Sequence, residues 1–116
     1  MKALIIDDET DICYLLSGIL RNKNILSSYV NTLADAVPAL EKQEPDIIFL
    51  DNHLPDGMGA NLIKEIKTKL PRSKVIMITA YDTAEDRSTA NEEGVDFFVS
   101  KPFSRDTIYS ITDQLR

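Results

Sequence analysis

The chain has 116 residues, 43% of them from the apolar set Ala, Val, Ile, Leu, Met, Phe, Trp, Tyr and Cys, which suits one globular domain and excludes a second lobe or a disordered chain. Thirteen Lys and Arg against nineteen Asp and Glu leave a net charge of −6, so no basic face for nucleic acid or for an anionic membrane surface is expected. One cysteine and one histidine exclude an internal disulfide and a zinc cluster, and the short apolar runs leave neither a signal peptide nor a membrane span; the expectation is a cytosolic protein whose metal, if it has one, is held by oxygen.

Short apolar runs alternate with longer amphipathic stretches from end to end, and no linker or repeat interrupts them. The first strand is expected at 3–7, followed by a helix with Ile12, Leu15, Leu16, Ile19 and Leu20 on one face and Thr10 as its N-cap. The second strand, 25–30, carries Ser27 and Ser28 and suits a sheet edge. In the helical pattern after it, Pro38 removes a donor and clashes with the preceding turn at a cost of about 3 kcal/mol, so this helix is expected to kink or to start late. The third strand, 47–51, is apolar up to its last residue, and Leu62, Ile63, Ile66 and Leu70 mark the third helix. The fourth strand spans 75–79. The fourth helix, 84–93, has Thr83 as N-cap, Asp86 to complete a capping box and Gly94 to end it. Its only apolar residues are Ala84 and Ala90, so it should be the least firmly docked element. A fifth strand at 96–99 and a helix with Ser104 as N-cap and Ile108, Ile111 and Leu115 on one face close the chain. Strictly alternating strands and helices predict parallel pairing through right-handed crossovers. The fold class is α/β, a flavodoxin-like (βα)5 three-layer sandwich of strand order 2-1-3-4-5, forming one domain at 1–116.

In such a sheet, ligands bind beyond the carboxyl ends of the strands, where the strand order reverses. The first strand ends in Asp7 and Asp8 with Glu9 behind them, the third in Asp51 and the fourth in Thr79, and Lys101 follows the fifth. A lone aspartate at a strand end is ordinarily a cap or a solvated loop residue; the coincidence at four strand ends carries the argument. Carboxylates a few Å apart repel by about 1–4 kcal/mol per pair and call for a cation, and hard oxygen ligands point to Mg²⁺. A metal there and Lys101 would offset charge on a phosphoryl group that the Asp51 carboxylate attacks in line.

The segments IIDDE at 5–9, LDNHLPDGMG at 50–59, ITAY at 78–81 and SKPF at 100–103 resemble, in order and spacing, the receiver domains of two-component response regulators, and the resemblance spans essentially the whole chain. It implies that Asp51 accepts a phosphoryl group from a sensor histidine kinase or phosphotransfer protein. It also implies that Asp8 binds Mg²⁺ directly and Asp7 through water, with the main-chain carbonyl of His53 completing the shell, and that Lys101, joined to Pro102 by a cis bond, pairs with the phosphoryl oxygens. Thr79 and the aromatic Phe98 are implied to form the switch that changes the surface of helix four, strand five and helix five, through which a homodimer or an output domain would respond. The ITAY and KPF segments resemble those of receivers that precede ATPase-type transcription activators, which would place an output domain beyond Arg116; a stand-alone regulator is the other reading. Phe98 lacks the hydroxyl of a switch tyrosine, and Arg87 stands where receivers often carry a small apolar residue, so helix four is not expected to dock in the usual way. His53 and Tyr81 stand where the family tunes access of hydrolytic water.

Two other readings compete. A Mg²⁺-dependent aspartyl phosphatase or phosphotransferase would use the same nucleophile, but no part of the chain supplies a cap domain. A flavodoxin-like nucleotide binder would want glycine and backbone donors where Asp8, Glu9 and Thr10 stand.

Overall fold

The computed structural model describes residues 1–115. Along the chain come β1 (Lys2–Ile6), α1 (Thr10–Arg21), β2 (Leu26–Val30), α2 (Leu33–Gln43), β3 (Ile47–Asp51), β4 (His53–Leu54), β5 (Gly57–Met58), α3 (Ala60–Lys69), β6 (Lys74–Thr79), α4 (Ala84–Glu93), β7 (Phe97–Ser100) and α5 (Arg105–Gln114). The main sheet is wholly parallel in the order β2-β1-β3-β6-β7, which is 2-1-3-4-5 once the hairpin of β4 and β5 is set aside. Strands begin or end within one residue of expectation, and the polar β2 lies at an edge.

Parity along the strands divides the core into two layers. Ala3, Ile5, Ile47, Phe49, Ile76 and Ile78 face α1 and α5, where they meet Cys13, Leu16, Leu20, Ile108 and Ile111. Leu4, Ile6, Ile48, Leu50, Val75 and Met77 face the other way, against Leu40, Ile63, Ile66 and Ala90 of α2, α3 and α4. Burial on both faces explains why the runs in β1, β3 and β6 are apolar without alternation.

Two helix starts and one capping box differ from expectation. The N-cap of α1 is Glu9, not Thr10, and its side chain makes no cap bond because its carboxylate holds Lys101 at 3.0 Å. Helix α2 neither starts late nor waits for Pro38: Thr32 accepts from Asp35 N–H at 3.1 Å, and the carboxylate of Asp56 accepts from Leu33 and Ala34 N–H at 2.8 and 2.9 Å. Two side chains therefore secure its first turn ahead of the proline. In α4, Thr83 accepts from Asp86 N–H at 3.0 Å, as in a capping box, but the Asp86 carboxylate reaches His53 instead of turning back.

Helix α4 buries one residue, Ala90, and Ala84 is exposed. Its amide hydrogens should exchange faster than those of the other four helices in native-state hydrogen exchange; finding α4 the best protected would contradict its apolar accounting. Phe49 is fully buried in the central strand, so Phe49→Ala should cost about 3–5 kcal/mol in urea denaturation.

Candidate functional site

Because β1 and β3 are neighbours with Ile6 opposite Leu50, the residues that follow meet at one rim. Carboxylate oxygens of Asp7, Asp8, Glu9 and Asp51 all lie within 4.8 Å of one another. Asp7 and Asp51 are buried, while Asp8 and Glu9 are exposed. Lys101 enters from the segment after β7, its main chain tied to Thr79 O at 2.8 Å. Its Nζ stands 2.9 Å from Asp7 Oδ2, 3.0 Å from Glu9 Oε1 and 3.5 Å from Asp51 Oδ2.

Local hydrogen bonds orient the two buried carboxylates. Asp7 Oδ1 accepts from Glu9 N–H at 2.9 Å, and Asp51 Oδ1 from His53 N–H at 3.3 Å. The loop after Asp51 is closed by Asn52, whose main-chain oxygen accepts from Gly59 N–H at 2.8 Å and whose side chain accepts from Ala60 N–H at 2.9 Å. Residue 59 has to be glycine, since a Cβ there would lie 2.2 Å from the main-chain oxygen of Asp51.

The electrostatics follow from burial. Desolvation, together with the charge of Asp7, pushes the Asp51 carboxyl up to about 6 despite Lys101. Asp7 is also raised, burial outweighing Lys101 and the Glu9 N–H. For Lys101 burial works against the charge, and the carboxylates of Asp7, Glu9 and Asp51 outweigh it, so the ammonium is held protonated. Even so, Asp7 Oδ2 is a buried oxygen without a properly aligned hydrogen bond, its contact with Lys101 being an ion pair only. A buried oxygen met only by an ion pair, beside three further carboxylates, fits a hard divalent cation, and the oxygen-only donor set suits Mg²⁺ better than a softer metal.

Thr79 is buried at the end of β6, and its Oγ1 accepts from Tyr81 N–H at 3.1 Å. Phe98 lies on the same sheet face, packed against the layer formed with α2, α3 and α4, with Arg87 Cζ 4.4 Å from the centre of its ring. His53 packs against Tyr81 with ring centres 4.4 Å apart and the planes tilted by 58°, and its Nε2 is 3.3 Å from Asp86. The bond from Lys101 to Pro102 is cis.

The structure thus collects Asp7, Asp8, Asp51 and Lys101 at one rim, with His53 alongside, and places Thr79 and Phe98 on the sheet face behind it. Sequence reasoning passed over Glu9 as a partner of Lys101; its one sequence signal was a third acid in an acidic run. The Asp56 cap and the short hairpin around it were also missed, although Pro55, Asp56 and Gly57 form a turn signature.

The family model of the response regulator receiver domain matches residues 3–113. The response regulator protein PilR of Pseudomonas aeruginosa is 35% identical over 101 residues, covering 87% of this chain and 23% of PilR. A two-component response regulator from Clostridium difficile superimposes with a TM-score of 0.93 at 27% identity, over 99% of this chain and 94% of that one. The beryllofluoride-activated NtrC4 receiver domain dimer matches with a TM-score of 0.92 at 32% identity, over 98% of this chain and 94% of that one. The chain spans between 23% and 44% of the length of the curated relatives it matches. No helix among the described residues is long and apolar enough to cross a membrane. With its parallel sheet, its acidic rim and its lysine after the last strand, the chain belongs to the response regulator receiver domain family, whose members are signalling domains.

Proposed function

We propose that the chain, as one receiver domain over 1–116, takes a phosphoryl group onto Asp51 from the phosphohistidine of a sensor kinase or phosphotransfer protein and signals by repacking α4, β7 and α5. The observation that carries this reading is the burial of Asp51 beside Asp7 and within 3.5 Å of Lys101. A carboxylate so placed is partly stripped of water and faces a fixed positive charge, which suits a nucleophile for an anionic electrophile. An Asp51 oxygen attacks phosphorus as the phosphorus–nitrogen bond to the donor imidazole breaks, and the electron pair leaves with that nitrogen. Lys101 neutralises the transferred oxygens. Mg²⁺ held by Asp7, Asp8, Asp51 and the main-chain oxygen of His53 would supply further charge stabilisation. The donor would dock beside the rim on α1 and the segment after β7, where Tyr14 and Leu15 are 61% and 52% exposed next to Phe103.

Transfer of the Thr79 hydroxyl from Tyr81 N–H to a phosphoryl oxygen would open room toward Phe98, which shares its sheet face. The altered α4, β7 and α5 surface would then serve an output domain acting in transcription or a second copy, a reading supported by the greater length of the curated relatives and by the dimer formed by the NtrC4 receiver. An aspartyl phosphatase is not favoured: the apolar groove between α2 and α3 is lined by Val37, Leu40, Leu62, Ile66 and Leu70, and no carboxylate of the rim reaches it.

With acetyl phosphate and Mg²⁺ the protein should gain about 80 Da, and Asp51→Asn should abolish the gain; an unchanged gain in Asp51→Asn, or none in the unaltered protein, overturns the reading. Lys101→Ala should slow labelling by roughly 10²-fold or more, as loss of a charge-stabilising donor does elsewhere. Without metal, the folded-state pKa of Asp51, about 6, lies above its ordinary 3.8. The folded chain then binds more protons than the unfolded one, and stability falls as pH rises through that window. Mg²⁺ should therefore raise the melting temperature more at pH 7 than at pH 5; equal shifts would argue against a metal bound through Asp51.

A further inference from the structure

Helix α4 is held apolarly by Ala90 alone, in its last turn. Its first turns are attached by polar contacts: Asp86 meets His53, and a larger cluster converges on the carboxylate of Asp82 in the loop between β6 and α4. Asp82 Oδ1 accepts from Arg87 Nε at 2.5 Å, and Oδ2 accepts from the Arg87 terminal nitrogen at 2.9 Å and from the hydroxyl of Ser100, the last residue of β7. The guanidinium so fixed lies over the ring of Phe98 with Cζ 4.4 Å from its centre. One carboxylate therefore joins the loop, the helix and the strand, and the cation it orients covers the aromatic ring. Exposed ion pairs contribute little on average, but two-pronged arginine geometry shared with a third donor and an aromatic face is the exception. Arginine's hydrogen bond, followed by that of Ser100, holds the Asp82 carboxyl down at about 2, so the cluster is fully ionised near neutrality.

The loop brings this cluster into register with the buried site. Thr79 pairs with Ser100 across the sheet, and Thr79 Oγ1 is engaged by Tyr81 N–H, one residue before Asp82. A hydroxyl that leaves Tyr81 frees the Ala80–Tyr81 peptide, one residue before Asp82, and a turn of Phe98 breaks its contact with the guanidinium. We propose that Asp82 and Arg87 are positioning residues that clamp Phe98 and the first turn of α4 in the arrangement seen here and so set the bias of the switch against phosphoryl binding at Asp51. The inference rests on the receiver reading above, and it assigns to a pair outside the acidic rim the control of how readily that rim is engaged. A clamp of this kind also explains how a helix with almost no apolar face stays docked.

The test compares the unaltered protein with Asp82→Asn, Arg87→Ala and Arg87→Lys, all at exposed positions. The first measurement is affinity for beryllofluoride with Mg²⁺, a mimic of the acyl phosphate, by NMR titration. The second is the Phe98 ring resonances without ligand. Opening the clamp should tighten beryllofluoride binding about five- to tenfold in Asp82→Asn and Arg87→Ala and displace the Phe98 resonances in both. Arg87→Lys, which keeps the charge but loses the planar fork, should follow the alanine variant. Unchanged or weaker binding in Asp82→Asn and Arg87→Ala, while the unaltered protein binds, overturns the clamp. Failure of the unaltered protein to bind beryllofluoride overturns the receiver reading instead, and the ring resonances then judge the clamp alone: unmoved resonances refute it.

Discussion

Two buried carboxylates, Asp7 and Asp51, stand at the ends of neighbouring strands with the ammonium of the half-buried Lys101 between them. Ionising both without Lys101 would place like charges a few Å apart in a medium that screens poorly, and burial already drives each toward its protonated form. The lysine lowers that cost without removing it, since Asp7 Oδ2 remains without an aligned hydrogen bond. Charge left over after folding would favour uptake of a divalent ion and then of an anionic group, in the way that sites holding uncompensated charge serve chemistry at the expense of stability.

That arrangement depends on parts of the chain far apart in sequence. Asp7 comes from the first strand, Asp51 from the third, and Lys101 is positioned by its main-chain bond to Thr79 at the end of β6. The loop carrying His53 is closed by Asn52 and permitted by Gly59, and Asp56 in the same loop caps α2. A shift at the rim is therefore felt at once in the loops around it. The elements with large apolar contacts, β1, β3, β6 and α3, cannot follow, because their side chains are close-packed on both faces of the sheet. The element with the least apolar contact to lose is α4, which joins the rim through Asp86 on His53 and joins β7 through Arg87 on Phe98.

Most of the architecture was legible in the chain because it is encoded locally. Apolar runs such as IIFL and VIMI can be covered only on both faces, and that demand, with helices between them, leads to a parallel sheet; the serines of β2 mark its edge. The acidic rim was legible for a related reason: once strand order is known, the residues at strand ends are neighbours by topology. Thr83, Ser104 and Gly94 act where local capping chemistry puts them.

What local chemistry could not reveal is how side chains choose between a near partner and a distant one. Glu9 could have capped α1 and instead holds Lys101, 92 positions away. Asp86 could have closed a capping box and instead meets His53. Arg87 gave reason to doubt the usual docking of α4, and it lies in contact with both Asp82 and Phe98. In each case a charged side chain has more than one partner within reach, and only the packed structure brings one of them close enough to win. Composition and periodicity determined the sheet, its order and the acids at its rim, because burying apolar surface admits few solutions; the tertiary structure decided which charges pair, because that depends on distances no linear pattern contains.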